Sequence, residues 1–265
     1  MRRIGLCIGI NDYPGTNSDL SGCVNDANDW ADALRGRGFD EVTVMLDGEA
    51  TLRGMADAMT AAVNSAEAGD LVVIQYSGHG TWQADENGDE PDQRDEALCP
   101  HDFADNGPLL DDTLFEIFSS AREGAKVVFL SDSCHSGSVA SIALPMGGGP
   151  ASGTVRFLPP GPFLSGTALD RARKAEKKPA KGMSRTTALL ISGCDDPEYS
   201  YDANFGGRFN GAFTRAALDT LPKLAHDATY GDWHAAIRTV LPSDQYPQSP
   251  QLMVGDDQRE WTVLG

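Results

Sequence analysis

Two short runs in this 265-residue chain carry side chains able to do covalent chemistry: Ser77-Gly78-His79-Gly80 and Asp132-Ser133-Cys134-His135-Ser136-Gly137. An imidazole can hold a proton near neutral pH, and a thiolate is a strong nucleophile, so a cysteine and a histidine that face one another suit acyl transfer. Glycine on both sides of His79 permits tight turns and close approach of a substrate backbone. His135 is the rival base by adjacency, but neighbouring side chains in an extended or turning chain point apart, which favours His79. Read singly, the same residues also fit a small buried hydrophobe at 134 and a satisfied loop histidine at 79.

Both runs follow apolar stretches, LVVIQY (71–76) and KVVFLS (126–131), which read as strands. Further strands are predicted near 3–10, 42–46, 188–192 and 251–254. Between the first two, Leu20, Val24, Ala27, Ala31 and Leu34 recur at helical steps and stop at Gly36 and Gly38. A second helix over 50–66 carries Leu52, Met55, Met59 and Val63. A third is expected after Asp112, where Thr113 and Glu116 form a capping-box pattern, and helices near 210–221 and 232–241 stop at Pro222 and Pro242. Alternation of strands and helices predicts an α/β fold, a six-stranded mostly parallel sheet with helices on both faces. Ligands of such sheets bind in the crevice at the carboxyl ends of the strands, where His79 and Cys134 fall.

Composition narrows the partners. With 39 acids against 21 bases the formal charge is −18, which opposes a phosphate backbone and attracts cations, so no nucleic-acid partner is expected. No apolar run is long enough for a membrane span, and MRRIGLCIGI at the start reads as a first strand, not a signal peptide. Five cysteines (7, 23, 99, 134, 194) without C-x-x-C spacing indicate neither a disulfide framework nor a zinc site, and fit a reducing, cytoplasmic setting. Eleven acids and one base, Arg94, crowd residues 85–112, in a loop whose spacing does not match an EF-hand: the required glycine is Glu90. Residues 141–187, rich in Gly and Pro and then basic, read as a flexible linker.

The segments CIGINDYPGTNSDLSGCVNDA (7–27), LVVIQYSGHG (71–80), DEALCPHDF (95–103), LLDDTL (109–114), VVFLSDSCHSG (127–137), LLISGCDD (189–196), GAFT (211–214) and SPQL (249–252) together resemble the metacaspases, the caspase-related cysteine peptidases of clan CD, family C14, and among them the short bacterial orthocaspases. The resemblance implies a caspase-like fold in one catalytic domain over 1–265: a large-subunit-like part (1–140), the linker (141–187) and a small-subunit-like part (188–265). It implies His79 as general base and acid, Cys134 as nucleophile, and the backbone N–H groups of Gly80 and Cys134 as oxyanion hole. Asp26 and Asp132 match the acids of a pocket for Arg or Lys, and Cys23, one helical turn before Asp26, can edge it. Calcium activation is implied through Asp95, Asp111 and Asp112, although Ser138 to Ser141 offer no acid where the family has one. No organic cofactor is implied. Self-cleavage is implied after one of Arg171, Arg173, Lys174, Lys177, Lys178, Lys181 or Arg185. The expected activity is a cysteine endopeptidase acting on peptides or proteins after a basic residue, as a monomer. The alternatives are a catalytically silent scaffold, a calcium-responsive binding module, or another hydrolase using the same pair.

Overall fold

The computed structural model describes residues 1–84, 94–134, 153–159, 188–195, 198–255 and 257–265, with backbone alone at 83, 84, 94 and 95. All six expected strands form: β1 (Arg3–Gly9), β2 (Glu41–Leu46), β3 (Leu71–Ser77), β7 (Lys126–Asp132), β9 (Leu189–Ser192) and β12 (Gln251–Met253). They make one sheet in the order β12-β9-β7-β3-β1-β2, parallel throughout except for β12 against β9. Apart from Gln75 and a few residues at the strand ends, its inner strands are apolar because both faces are covered. Successive side chains divide between two cores: Val72, Ile74, Val127 and Phe129 enter one, and Leu71, Val73, Val128 and Leu130 the other.

Each helix closes one of these cores with its apolar stripe. Helix α1 (Cys23–Gly36) brings Ala27, Trp30, Ala31 and Leu34 to the second core, joined by Phe213 and Ala217 of α5 (Ala212–Thr220) and Trp233 and Ile237 of α6 (Tyr230–Ile237). Helix α2 (Leu52–Ser65) brings Met55, Met59 and Val63 to the first, beside Leu114, Ile117 and Phe118 of α4 (Asp111–Ser119); a single turn, α3 (Phe103–Asn106), precedes α4. The expected capping box at Thr113 and Glu116 does not form: α4 starts two residues earlier, so Asp111 and Asp112 occupy its first turn, where carboxylates favour the exposed N–H groups. A capping box does close α6, between Thr229 and Asp232.

Two three-stranded sheets were not expected. One orders β4 (Gly80–Ala84), β5 (Arg94–Leu98) and β6 (Leu109–Leu110); the other orders β11 (Arg208–Gly211), β10 (Tyr201–Phe205) and β8 (Gly153–Val155). Their sequences, such as RDEAL and YDANF, are too polar to announce strands. Gly206 and Gly207, both at positive φ (66° and 98°), are the turn of the β10–β11 hairpin, a signal that Gly-Gly carries in the sequence. Among the described residues no helix is long and apolar enough to cross a membrane.

Candidate active site

β3 and β7 are parallel neighbours with Ser77 opposite Asp132, so His79 and Cys134 each follow two residues later, past the carboxyl ends of adjacent strands. The backbone that presents His79 is held by two tyrosines. Its N–H donates to Tyr13 Oη at 2.7 Å, and Tyr76 Oη lies 2.7 Å from the His79 carbonyl and 2.8 Å from that of Cys99, both of which accept its hydrogen. Only glycine fits at 78, since a Cβ there would lie 2.4 Å from Tyr76 Oη and 2.5 Å from Tyr13 Oη. His79 Nε2 lies 2.6 Å from the carbonyl of Ser18. A carbonyl can only accept, so Nε2 carries the proton and Nδ1, buried and without a hydrogen bond, presents its lone pair. Burial pushes the His79 pKa down to about 4, the Ser18 carbonyl opposing and the Arg156 charge adding to the shift.

Cys134 is buried, its Sγ accepting the N–H of Ser200. Cys194 lies beside it: its thiol donates to the Ser133 carbonyl at 3.6 Å, and its hydrogen bond with Cys134, together with burial, pushes its pKa well up.

The cleft above these residues is filled by the chain itself. Residues 153–159, inside the stretch expected to be a flexible linker, are extended across it. β8 pairs antiparallel with β10, Val155 opposite Tyr201 and Gly153 opposite Ala203. The Arg156 N–H donates to the Ser200 carbonyl at 3.0 Å. The Arg156 carbonyl accepts from the N–H of Gly80 (3.0 Å) and of Cys134 (3.2 Å), the two groups nominated as an oxyanion hole.

The side chain of Arg156 is 0% exposed. Its Nη2 lies 2.7 Å from Asp26 and 3.2 Å from Asp202, and its Nη1 lies 3.2 Å from Asp132. Each carboxylate is also fixed from behind. Asp26 accepts from Gly211 N–H (3.0 Å) and Asn210 Nδ2 (2.9 Å), Asp132 from Thr214 N–H at the start of α5 (2.9 Å) and from the Ser200 hydroxyl, and Asp202 from Ser21 N–H (2.7 Å) and Gly22 N–H (3.2 Å). Burial works against the guanidinium charge, but Asp132, with Cys23, Asp26 and Asp202, outweighs it and raises the Arg156 pKa. Asp26 is pushed up, first by its own burial and then by Asp132, against the pull of Arg156. Cys23 is fully buried within electrostatic reach of the same cluster, and burial raises its thiol pKa.

His79, Gly80, Cys134, Asp26, Asp132 and Cys23 are thus brought together around one arginine. Asp111 and Asp112 are not in this cleft; they open α4, Asp111 Oδ1 accepting the Asp112 N–H at 2.9 Å. Among the described residues no group of three or more His, Cys, Asp or Glu stands ready to hold a metal. The side chain of Asp95, His135 and the seven basic residues from Arg171 to Arg185 lie outside the described residues. Sequence reasoning missed Arg156, Asp202, Ser18 and the two tyrosines. Only Arg156 carried a local signal: a β-prone run, Thr154 to Leu158, between Gly153 and Pro159.

A family profile described as "Metacaspase, peptidase C14 domain" matches residues 3–143. The chain is 32% identical to Metacaspase-1 of Mycosarcoma maydis over 95% of its own length and 70% of that protein's. It is 30% identical to Metacaspase-1 of Arabidopsis thaliana over 91% of its own length and 65% of that protein's, so it spans about two thirds of these curated relatives. Among solved structures, protein GSU0716 from Geobacter sulfurreducens superposes with a TM-score of 0.77 at 28% identity, covering 99% of this chain and 97% of that one. Caspase-1 from Spodoptera frugiperda superposes with a TM-score of 0.59 at 13% identity, covering 96% and 86%, a likeness of fold alone.

Proposed function

Because the chain belongs to the metacaspase family of C14 cysteine peptidases, we propose that it is an endopeptidase that cleaves after arginine or lysine and first cuts itself at Arg156–Phe157. One observation carries this reading: Arg156 has its guanidinium among three aspartates while its carbonyl receives the N–H groups of Gly80 and Cys134. Cys134 Sγ attacks that carbonyl carbon as His79 Nδ1 takes the thiol proton, and the oxyanion is held by the two N–H groups. His79 then gives the proton to the leaving amine of Phe157, and water, activated by the same imidazole, releases the acyl group from sulfur. The Ser18 carbonyl acts only by keeping the second proton on Nε2.

Calcium stimulation belongs to the same proposal. Asp111 and Asp112 open α4 directly after β6, the strand that pairs with β5, and with Asp95 of β5 their carboxylates make an all-oxygen set of a kind that suits a hard cation. Those three would hold it, and bound calcium would neutralise the acids where α4 begins.

Intact mass of the wild type beside Cys134→Ala and Arg156→Ala tests self-cleavage. Fragments 1–156 and 157–265 are expected from the wild type alone; an uncut wild type, or the same cut in Cys134→Ala, overturns it. Fluorogenic peptides ending in Arg, Lys or Asp test the pocket, with turnover expected for the first two. Calorimetric titration of calcium into Cys134→Ala, with and without Asp112→Asn, tests the metal: binding weakened by Asp112→Asn is expected, and no binding removes it.

A further inference from the structure

From Val155 onward the segment in the cleft alternates: Val155 half-buried, Arg156 buried, Phe157 half-buried, Leu158 buried, Pro159 half-buried, while Gly153 and Thr154 before them are exposed. In an extended chain residues two apart face the same way, so Arg156 and Leu158 enter the protein side by side, one on each side of the Arg156–Phe157 bond. Leu158 is 0% exposed and joins the apolar core that includes Tyr13, Leu20 and Leu98. Among the described residues every other buried member of that core lies outside 141–187, so the wall they form belongs to the body of the enzyme. Gly80 holds both flanks of the bond: its N–H donates to the Arg156 carbonyl and its own carbonyl accepts the Leu158 N–H, each at 3.0 Å.

We propose that the enzyme has an apolar subsite for the second residue after the scissile bond, filled here by Leu158, and therefore reads substrates twice: a basic residue before the cut and a leucine-sized aliphatic side chain two positions later. The inference rests on the peptidase reading. It follows from burial at two positions only. The side chain directly after the cut is half exposed, and the one three places before Phe157 is exposed, so neither is selected strongly. Full burial of a leucine side chain corresponds to a preference of about 10-fold or more over a charged residue.

Internally quenched peptides spanning Gly-Thr-Val-Arg-Phe-Leu test it with the self-processed enzyme. Replacing the leucine by aspartate is expected to lower kcat/KM about 10-fold or more, and by alanine several-fold, while replacing the threonine by alanine leaves it unchanged. Equal kcat/KM across the leucine series, with arginine still required, overturns the subsite and leaves the peptidase reading intact. Loss of the arginine requirement overturns the basic-residue specificity on which the proposal rests. A second measurement does not depend on turnover: in the Cys134→Ala chain, Leu158→Asp is expected to expose Arg156 to trypsin, whereas Phe157→Asp is not. Unchanged protection at Arg156 in Leu158→Asp would sink the proposal.

Discussion

A methyl group at position 211 would sit 2.1 Å from Asp132 Oδ2 and 2.5 Å from Arg156 Nη1, within the space that the guanidinium occupies. Gly211→Ala is therefore expected to lower kcat/KM on arginine peptides by about two orders of magnitude, because a misfitted cation leaves buried carboxylates unpaired. Steady-state kinetics on one such peptide checks this. His79 sets a second expectation. Its pKa is about 4 in the folded chain against the ordinary 6.5, so between those pH values the unfolded chain takes up a proton that the folded chain does not. This contribution is complete above pH 6.5 and is lost as pH falls toward 4, by at most roughly 3 kcal/mol. Asp26, raised by burial to about 7, acts in the opposite sense: its contribution is complete below its ordinary 3.8 and is lost as pH rises through 7. Denaturant titrations of Cys134→Ala with and without His79→Gln, from pH 4 to 7, isolate the imidazole: the double variant should lose less stability in acid. His79 and Cys134 were legible because each stands in a short motif at the end of a predicted strand, whereas Asp26 and Asp132 entered only through the family resemblance. Arg156 and Asp202 were not legible, since the pairing of Arg156 with Asp26 spans 130 positions and exists only once the chain has folded.

Among the elements, the end of β3 does the positioning. The Tyr76 hydroxyl supplies the hydrogen for two buried carbonyls, those of His79 and Cys99, and so ties the β3–β4 turn to the chain after β5. Tyr76→Phe takes the hydroxyl donor from the Cys99 carbonyl, while the His79 carbonyl keeps the Cys99 N–H at 2.9 Å, and is expected to cost about 1–3 kcal/mol, read as a shift in the urea midpoint, with a loss of activity as the His79 turn loosens. The central strands and main helices were readable from period alone, because the sheet buries both faces and the helices only one stripe. The two small sheets were hidden for the converse reason. β5 carries Arg94, Asp95 and Glu96, and β10 owes its place to pairing with β11 and β8, not to its own apolar content. The start of α4 was misplaced because Leu110 caps it without a side-chain hydrogen bond, leaving nothing in the sequence to mark the boundary.

At the scale of the whole molecule, a charge of −18 surrounds a pocket for a cation. Field of this sign should speed capture of basic peptides and fade with salt: raising NaCl from about 0.05 to 0.5 M is expected to raise KM for an arginine peptide several-fold and leave kcat unchanged. Equal KM at both ends of that range would mean that the pocket alone accounts for capture. The pairing of β8 with β10 carries one more consequence. Whatever enters this groove must lie down as a strand for several residues and give up any coil or helix it had there. Well-knit globular surfaces are thus expected to resist cleavage through their own rigidity, and frayed ends and loose loops that can be pulled straight are expected to be cut first.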